Sequence, residues 1–228
     1  MTVRQQKGKT AENANRKRAM GIVAAACGVL SALFYLLHDL VGGAYYPGYD
    51  RMAQAVSDLT ATDAPSFAVA SGLSAVYGIF ACLCCAFLCF LVAGQNKPTR
   101  LGAYLFAAMQ GVSAVGYSLF PLSGSGYDGS ARSFVHVYIV TVAVVLLSIA
   151  SLVLLAVGGV RAKRRALAVA ALVSLGCMCF GSVGGGALPA SAFGLVERFS
   201  TYAAVLFTAF FGIWGLIVSA KSDEKKEG

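Results

Sequence analysis

Six long apolar stretches alternate with short polar segments along this chain. They cover approximately residues 19–37, 67–93, 101–120, 134–160, 166–188 and 202–220. A helix needs about 20 apolar residues to cross a hydrocarbon core of about 30 Å. A charge at the centre of such a helix costs about 2.5–3.5 kcal/mol. The pattern therefore predicts an all-α, multi-pass membrane protein built as a bundle of six transmembrane helices.

The composition agrees with this prediction. Hydrophobic residues make up 58% of the chain and charged residues only 12%, whereas soluble domains average about 25% charged residues. The longest segment between two apolar stretches, residues 38–66, is too short for a separate soluble domain. We expect a disordered basic N-terminus at 1–18, one membrane domain at 19–220 and a charged tail at 221–228.

The 18 lysines and arginines are distributed unevenly. Fifteen lie before the first apolar stretch, in alternate loops or after the last stretch, and three lie in the remaining loops. By the positive-inside rule this split places both termini in the cytoplasm of a plasma-membrane protein, with outward loops at about 38–66, 121–133 and 189–201. Nucleic-acid binding is excluded as an explanation for the net charge of +8, because no folded domain offers a basic face.

Most distinctive polar residues fall in the first outward loop. Pro47-Gly48 is a turn signal. A short amphipathic helix is predicted from Asp50, with one apolar and one polar face. The apolar face would carry Met52, Val56 and Leu59, and the polar face Asp50, Gln54, Ser57 and Asp58. Asp63 is the expected N-cap of the second span, followed by Pro65 in its first turn.

The outward segments together resemble a known family. The first contains Tyr45-Tyr46-Pro47-Gly48-Tyr49-Asp50, then Gln54-Ala55-Val56-Ser57-Asp58-Leu59, then Ala64-Pro65. The second contains Phe120-Pro121, a Gly/Ser-rich stretch and His136, and the last contains Glu197-Arg198. These motifs resemble the six-span membrane family catalogued as domain of unknown function 998. The resemblance implies a six-helix membrane fold and no particular activity.

Ionisable residues near span ends are costly unless they are paired or face water. We therefore expect them to converge outside in a polar pocket, with Arg198 opposite Asp39, Asp58 or Glu197, and His136 held by a carboxylate. The candidate binding residues are Asp39, Tyr46, Asp50, Gln54, Ser57, Asp58, His136, Glu197 and Arg198. The alternative is an ordinary interfacial cap, in which Tyr45, Tyr46 and Tyr49 form an aromatic belt.

The residues offer little support for a cofactor or a catalytic centre. Two histidines without an H-E-x-x-H pair do not indicate a zinc site, so neither a metal nor another cofactor is expected. Ser57, His136 and Asp39 could be written as a nucleophile triad, but no nucleophile-elbow motif surrounds Ser57. All seven cysteines lie in the apolar stretches, where we expect them to be reduced packing residues.

These observations favour a binding or accessory protein that recognises a lipid headgroup or a membrane partner through an outward polar pocket. An intramembrane enzyme acting on a lipid-linked substrate is the first alternative, so enzymatic activity is left open. A small transporter is the second alternative. Transporters usually hold polar sites near the midplane, where this chain offers mainly Gln110, which could equally join helices.

Overall fold

The computed structural model describes the backbone of residues 3–227 and the side chains of residues 12–220. This part of the chain is predominantly helical and contains no strand. Its six long helices are α1 (Val3–Ala44), α2 (Phe67–Leu91), α3 (Lys97–Leu119), α4 (Ala131–Arg161), α5 (Arg165–Ala187) and α6 (Phe193–Glu227). Short 3-10 helices cover Val56–Thr60, Val92–Gly94 and Ala190–Ala192.

Five segments within the described residues are long and apolar enough to cross a membrane. They are Glu12–Ala44, Phe67–Gly94, Ala131–Arg161, Arg165–Ala187 and Ala190–Ala220. Helix α3, which contains the predicted third span, has 23 residues and is therefore about 34 Å long. It is less apolar because glycines, serines and Gln110 interrupt its hydrophobic residues. The prediction of a multi-pass helical membrane protein is confirmed, with five or six spans.

The six helices form a closed ring in chain order. Each helix packs on the next one, α6 returns to pack along α1, and α2 also contacts α6. Aromatic side chains fill the interior, where the ring centroids of Phe106 and Phe207 lie 5.2 Å apart and those of Phe207 and Phe211 lie 5.5 Å apart. The centre of the bundle is therefore packed with side chains.

Helices α1 and α6 approach each other closely at two glycines. A Cβ atom on Gly28 would lie 2.9 Å from the Thr208 carbonyl oxygen, and one on Gly212 would lie 2.6 Å from the Ala24 carbonyl oxygen. Close backbone approach through small residues is a common way to pack helices in lipid. It places α1 and α6 side by side, which matters for the site described below.

The two ends of the bundle differ in charge. We call one the basic end, because it carries Lys97, Arg100, Arg161, Lys163, Arg164 and Arg165. The opposite, acidic end carries the loops at 45–66, 120–130 and 188–192. These loops are shorter than predicted, because α1 continues to Ala44 and α6 already begins at Phe193.

Several local predictions need correction. The short helix of the first loop is the 3-10 helix Val56–Thr60, shorter than the run predicted from Asp50. Val56 and Leu59 are buried as expected, but Met52 is half exposed and Asp58 is buried. The N-cap of α2 is Ser66 rather than Asp63. The turn at Pro47-Gly48 is confirmed, since Gly48 has φ +77°, a conformation that glycine adopts without strain.

The predicted disordered N-terminus overlaps the start of α1. Residues 12–18 are helical, because extending an existing helix adds one hydrogen bond for each residue that is ordered. The side chains of residues 1–11 and of the predicted tail 221–228 lie outside the described residues.

Candidate functional site

Arg198, in the second turn of α6, forms a two-pronged ion pair with Asp39 of α1. Its Nε donates to Asp39 Oδ2 at 3.0 Å and its Nη2 donates to Asp39 Oδ1 at 2.8 Å. Both side chains are nearly buried, with 11% of Arg198 and 4% of Asp39 exposed. Planar guanidinium groups suit this geometry, and the pairing joins α1 and α6 at the acidic end of the bundle.

The remaining donors of Arg198 bind the first loop and the first turn of α6. Nη1 donates to the carbonyl oxygens of Arg51 at 2.7 Å, Gln54 at 3.1 Å and Gly194 at 2.9 Å. Nη2 also donates to the hydroxyl of Tyr49 at 2.9 Å. A guanidinium has five N–H donors, and these contacts use all three of its nitrogens.

Two tyrosines complete this arrangement. The Tyr202 hydroxyl donates to Asp39 Oδ2 at 2.8 Å, and the Tyr49 hydroxyl donates to the Ala55 carbonyl oxygen at 2.7 Å. Burial raises the pKa of Tyr49 to about 12, although neighbouring Arg198 acts to lower it. The Tyr49 hydroxyl is therefore protonated at neutral pH and can donate. We call Asp39, Tyr49, Arg198 and Tyr202 the arginine cluster.

Two further contacts fix the first loop on the helices. The backbone N–H of Val56, which opens the 3-10 helix, donates to Glu197 Oε2 at 2.7 Å. The Leu195 N–H donates to the Met52 carbonyl oxygen at 3.0 Å. The first N–H groups of a helix have no partner within the helix. Here Glu197, which belongs to α6, accepts the hydrogen bond from the first N–H group of the 3-10 helix. The first loop is held along the start of α6.

A second network joins the first and second loops. The buried Asp58 accepts a hydrogen bond from the Ser125 hydroxyl at 2.7 Å and one from the Gly126 N–H at 3.1 Å. The Thr62 N–H donates to the Leu122 carbonyl oxygen at 2.9 Å. The first loop therefore contacts α1, α6 and the second loop, and we call residues 45–66 and 120–130 with the first two turns of α6 the loop platform.

His136 lies in a π-helical segment of α4, Val135–Val140. Its Nδ1 donates to the Phe120 carbonyl oxygen at 2.7 Å, and its ring packs on Tyr117 with centroids 4.7 Å apart. The Thr141 hydroxyl donates to the His136 carbonyl oxygen at 2.9 Å. The Phe120 carbonyl oxygen, rather than the expected carboxylate, therefore binds Nδ1 of His136.

The predicted site residues thus divide between two networks. Asp39 and Arg198 meet in the arginine cluster, and Glu197 lies beside it. Asp58 belongs to the second network rather than opposite Arg198. The suggested triad does not form, since Asp39 binds Arg198 and Tyr202.

The other candidates organise the first loop. Gln54 Oε1 accepts from the Asp50 N–H, and Asp50 Oδ1 accepts from the Met52 N–H, both at 2.8 Å. Tyr46 stacks on Tyr49 with ring centroids 5.6 Å apart. Half-buried Ser57 accepts at its carbonyl oxygen from the Thr60 hydroxyl at 3.0 Å.

Tyr49, Tyr202 and Gly194 were not among the predicted site residues. A Cβ atom on Gly194 would overlap the Gln54 carbonyl oxygen and lie 2.7 Å from the Arg51 carbonyl oxygen, so glycine lets α6 approach the first loop. Gly194, Arg198 and Tyr202 are spaced four residues apart, which places them on one face of a helix. This spacing is visible in the sequence, but the last apolar stretch begins only at residue 202, so it does not indicate a helix that contains all three residues.

The described side chains offer no metal centre. No three of the histidine, cysteine, aspartate and glutamate side chains between residues 12 and 220 lie close enough to hold a metal ion. A cavity of about 250 Å³ lies elsewhere, between α5 and α6. It is lined by Ala170, Val173, Ser174, Leu206, Phe207 and Phe210.

Comparison with known proteins gives a family and no activity. No curated protein and no solved structure matches the chain. A family model described as "Protein of unknown function (DUF998)" matches residues 16–214. This range covers the helices, the loop platform and both hydrogen-bond networks. The chain therefore belongs to the DUF998 family.

Proposed function

We propose that this is a non-enzymatic protein of the plasma membrane whose loop platform faces outward and binds a membrane partner. The observation that carries the proposal is the order imposed on the loops by buried charged groups. Arg198 and Asp58 bind the first and second loops. The packing of six helices does not by itself require these loops to be ordered. Loops positioned by a rigid scaffold often carry binding residues.

The surface of the loop platform combines exposed aromatic residues with carboxylates. Tyr45 is 59% exposed, Tyr127 is 49% exposed, and Asp50, Asp63 and Asp128 are also exposed. Hydrogen bonds from the hydroxyls of Ser133 and Ser130 lower the pKa of Asp128, so this carboxylate is ionised at neutral pH. Tyrosines are enriched among the residues that contribute most to protein interfaces.

The charge of this end indicates the chemistry of the partner. Six of the ten acidic residues belong to the acidic end or to helix ends beside it, together with three arginines. Two of these arginines, Arg51 and Arg198, bind carbonyl oxygens or Asp39 within the chain. The surface left for a partner is therefore acidic, and we expect a positively charged face on the partner.

The same contacts favour a protein partner over a lipid headgroup in a polar pocket. A phosphate-bearing headgroup would need free cationic donors, but the three nitrogens of Arg198 already bind groups of the chain. Transport is disfavoured by the aromatic packing of Phe106, Phe207 and Phe211 at the centre of the bundle.

Intramembrane catalysis is the second candidate function, and it is carried by His136. This residue is only 5% exposed and lies in a π-helical segment, a type of distortion that is frequent at functional sites. Asp58 interacts electrostatically with the ring. His136→Ala should leave partner binding intact under our proposal, whereas a catalytic role would require it to abolish the cellular function.

Photocrosslinking in intact cells tests the proposal. A photoreactive phenylalanine analogue at position 45 or 127 should give a discrete protein adduct, and the same analogue at Ile79 on α2 should not. Ile79 is 59% exposed and provides a matched control that faces lipid. Asp50→Asn combined with Asp63→Asn should reduce the adduct severalfold. Adducts with lipid alone, or the same protein adduct from position 79, would contradict a protein partner.

A further inference from the structure

The cavity between α5 and α6 opens on the outer surface of the bundle. Val173 and Leu206 at its rim are each 60% exposed, while Ser174 and Phe207 at its floor are buried. The surrounding helices are long and apolar enough to span a membrane, so this opening faces lipid. An apolar groove in that setting can receive an acyl chain.

The groove lies near the basic end of the bundle. Ala170 and Ser174 lie five and nine residues after Arg165, which opens α5, and this separation corresponds to about 7–14 Å along the helix. On α6, Trp214 follows Phe210 by four residues and therefore lies on the same face one turn nearer the basic end. Trp214 therefore lies about one turn beyond Phe210, which lines the groove.

A cation lies against Trp214. The guanidinium carbon of Arg164 is 6.0 Å from the centre of the Trp214 ring, within the range of a cation–π contact. The adjacent Lys163 is exposed in the turn that follows α4 and has φ +54°, a left-handed conformation that favours glycine or asparagine. The Arg164 N–H donates to the Gly159 carbonyl oxygen at 2.7 Å, so Lys163 occupies the left-handed position that commonly ends a helix.

We propose that this face binds an anionic phospholipid, with one acyl chain in the groove and the phosphate at Arg164 and Lys163. The apolar lining suits the chain and the two cations complement the phosphate. The site lies at the opposite end from the loop platform and does not depend on the function proposed for that platform. A free phosphate would share only the Arg164 and Lys163 contacts.

Trp214 provides a direct readout, because it is the only tryptophan in the chain. The purified protein would be titrated in detergent with phosphatidylglycerol whose acyl chains carry bromine, a quencher of tryptophan fluorescence. We expect saturable quenching, with at least tenfold weaker apparent affinity for brominated phosphatidylcholine. Inorganic phosphate at millimolar concentration should not displace the lipid, because it cannot occupy the groove.

Substitutions separate the two parts of the site. Arg164→Gln should weaken binding of phosphatidylglycerol at least fivefold and Arg164→Lys should largely restore it, whereas the control Arg161→Gln should have little effect. Ser174→Phe should fill the groove and weaken the binding of both lipids. Val169→Phe is the control and should leave binding unchanged, because residue 169 is 59% exposed elsewhere on α5.

Folding of each variant is checked by its circular dichroism and its elution volume. If Ser174→Phe does not fold, Val173→Phe at the exposed rim replaces it, so that Trp214 stays the only tryptophan. Equal quenching by both brominated lipids would overturn the proposal, as would unchanged affinities in the folded Arg164→Gln and groove-filling variants. Displacement by inorganic phosphate alone would also overturn it.

Discussion

Arg198 is the residue on which the acidic end depends most. It binds Asp39 on α1, three backbone carbonyl oxygens and Tyr49. Removing one partner of a buried charge pair leaves the other charge uncompensated, which typically costs about 3–5 kcal/mol. No other described arginine combines so many intramolecular contacts with a buried carboxylate.

Arg198→Ala should therefore lower the free energy of unfolding by about 3–5 kcal/mol. Arg132→Ala is the matched control, because Arg132 is exposed at the start of α4 and should change stability by less than about 0.5 kcal/mol. Thermal unfolding of the purified variants in the same detergent would measure the difference. Equal stabilities for the two variants would contradict a structural role for the ion pair.

Gly194 tests how closely α6 approaches the first loop. Gly194→Ala would place a methyl group against the carbonyl oxygens of Gln54 and Arg51, and overpacking of this kind typically costs about 1–3 kcal/mol. Gly186→Ala in α5 is the control, since nothing lies within 4 Å of its Cβ position. Thermal unfolding should show a loss of stability only for Gly194→Ala. If Gly194→Ala were as stable as the wild type, α6 would lie farther from the first loop than the structure shows.

At the scale of elements, a polar contact joins helices at mid-depth. Gln110 of α3 is 1% exposed. Its Nε2 donates to Thr208 Oγ1 of α6 at 2.7 Å, and its Oε1 accepts from the Tyr77 hydroxyl of α2 at 3.4 Å. Gln110 thus joins α3 to both α2 and α6.

Gln110→Leu should lower stability by about 0.6–2 kcal/mol, the range for hydrogen bonds between transmembrane helices. A double-mutant cycle with Thr208→Val would isolate the pairwise term. We expect a positive coupling energy from thermal unfolding of the four proteins. Strict additivity of the two single variants would show that the contact contributes no specific stability.

The centres of the helices could be predicted from sequence, and their ends could not. The cost of placing a charge in lipid depends mainly on the side chain itself, so apolar runs located every helix core. Glu197 and Arg198 interrupt such a run and therefore indicated a loop. In the structure α6 continues through them, because Asp39, 159 residues away in sequence, neutralises Arg198.

The same limit applies to the candidate site. Arg198 opposite Asp39 was one of three expected pairings, and charge alone could not select among them. Asp58 binds Ser125 and Gly126 instead, a choice that depends on how the second loop folds. The sequence assigns Tyr49 a role only in the alternative of an aromatic belt, since its contact with Arg198 requires the turn at Gly48 and the early start of α6.

For the whole molecule, the ring of helices places the loop platform at one end and the cationic loops at the other. The positive-inside rule predicts that the acidic end is extracytoplasmic. A single cysteine at position 128, on a background without the seven native cysteines, should react with a membrane-impermeant maleimide in intact cells. Reaction of position 128 only after permeabilisation would contradict this orientation. A cysteine at position 163, at the basic end, is the control and should react only after permeabilisation.

The central claim is that the arginine cluster and Asp58 hold the loops of the acidic end as one ordered platform. Hydrogen exchange of the protein in lipid nanodiscs, followed by mass spectrometry, measures this order directly. We predict slow exchange in peptides covering residues 51–62 and 120–126 of the wild type. In Arg198→Ala these peptides should exchange faster by at least tenfold, while peptides from the interior of α3 and α4 stay protected. Exchange of the wild-type loops at the rate of unstructured peptides would contradict the claim.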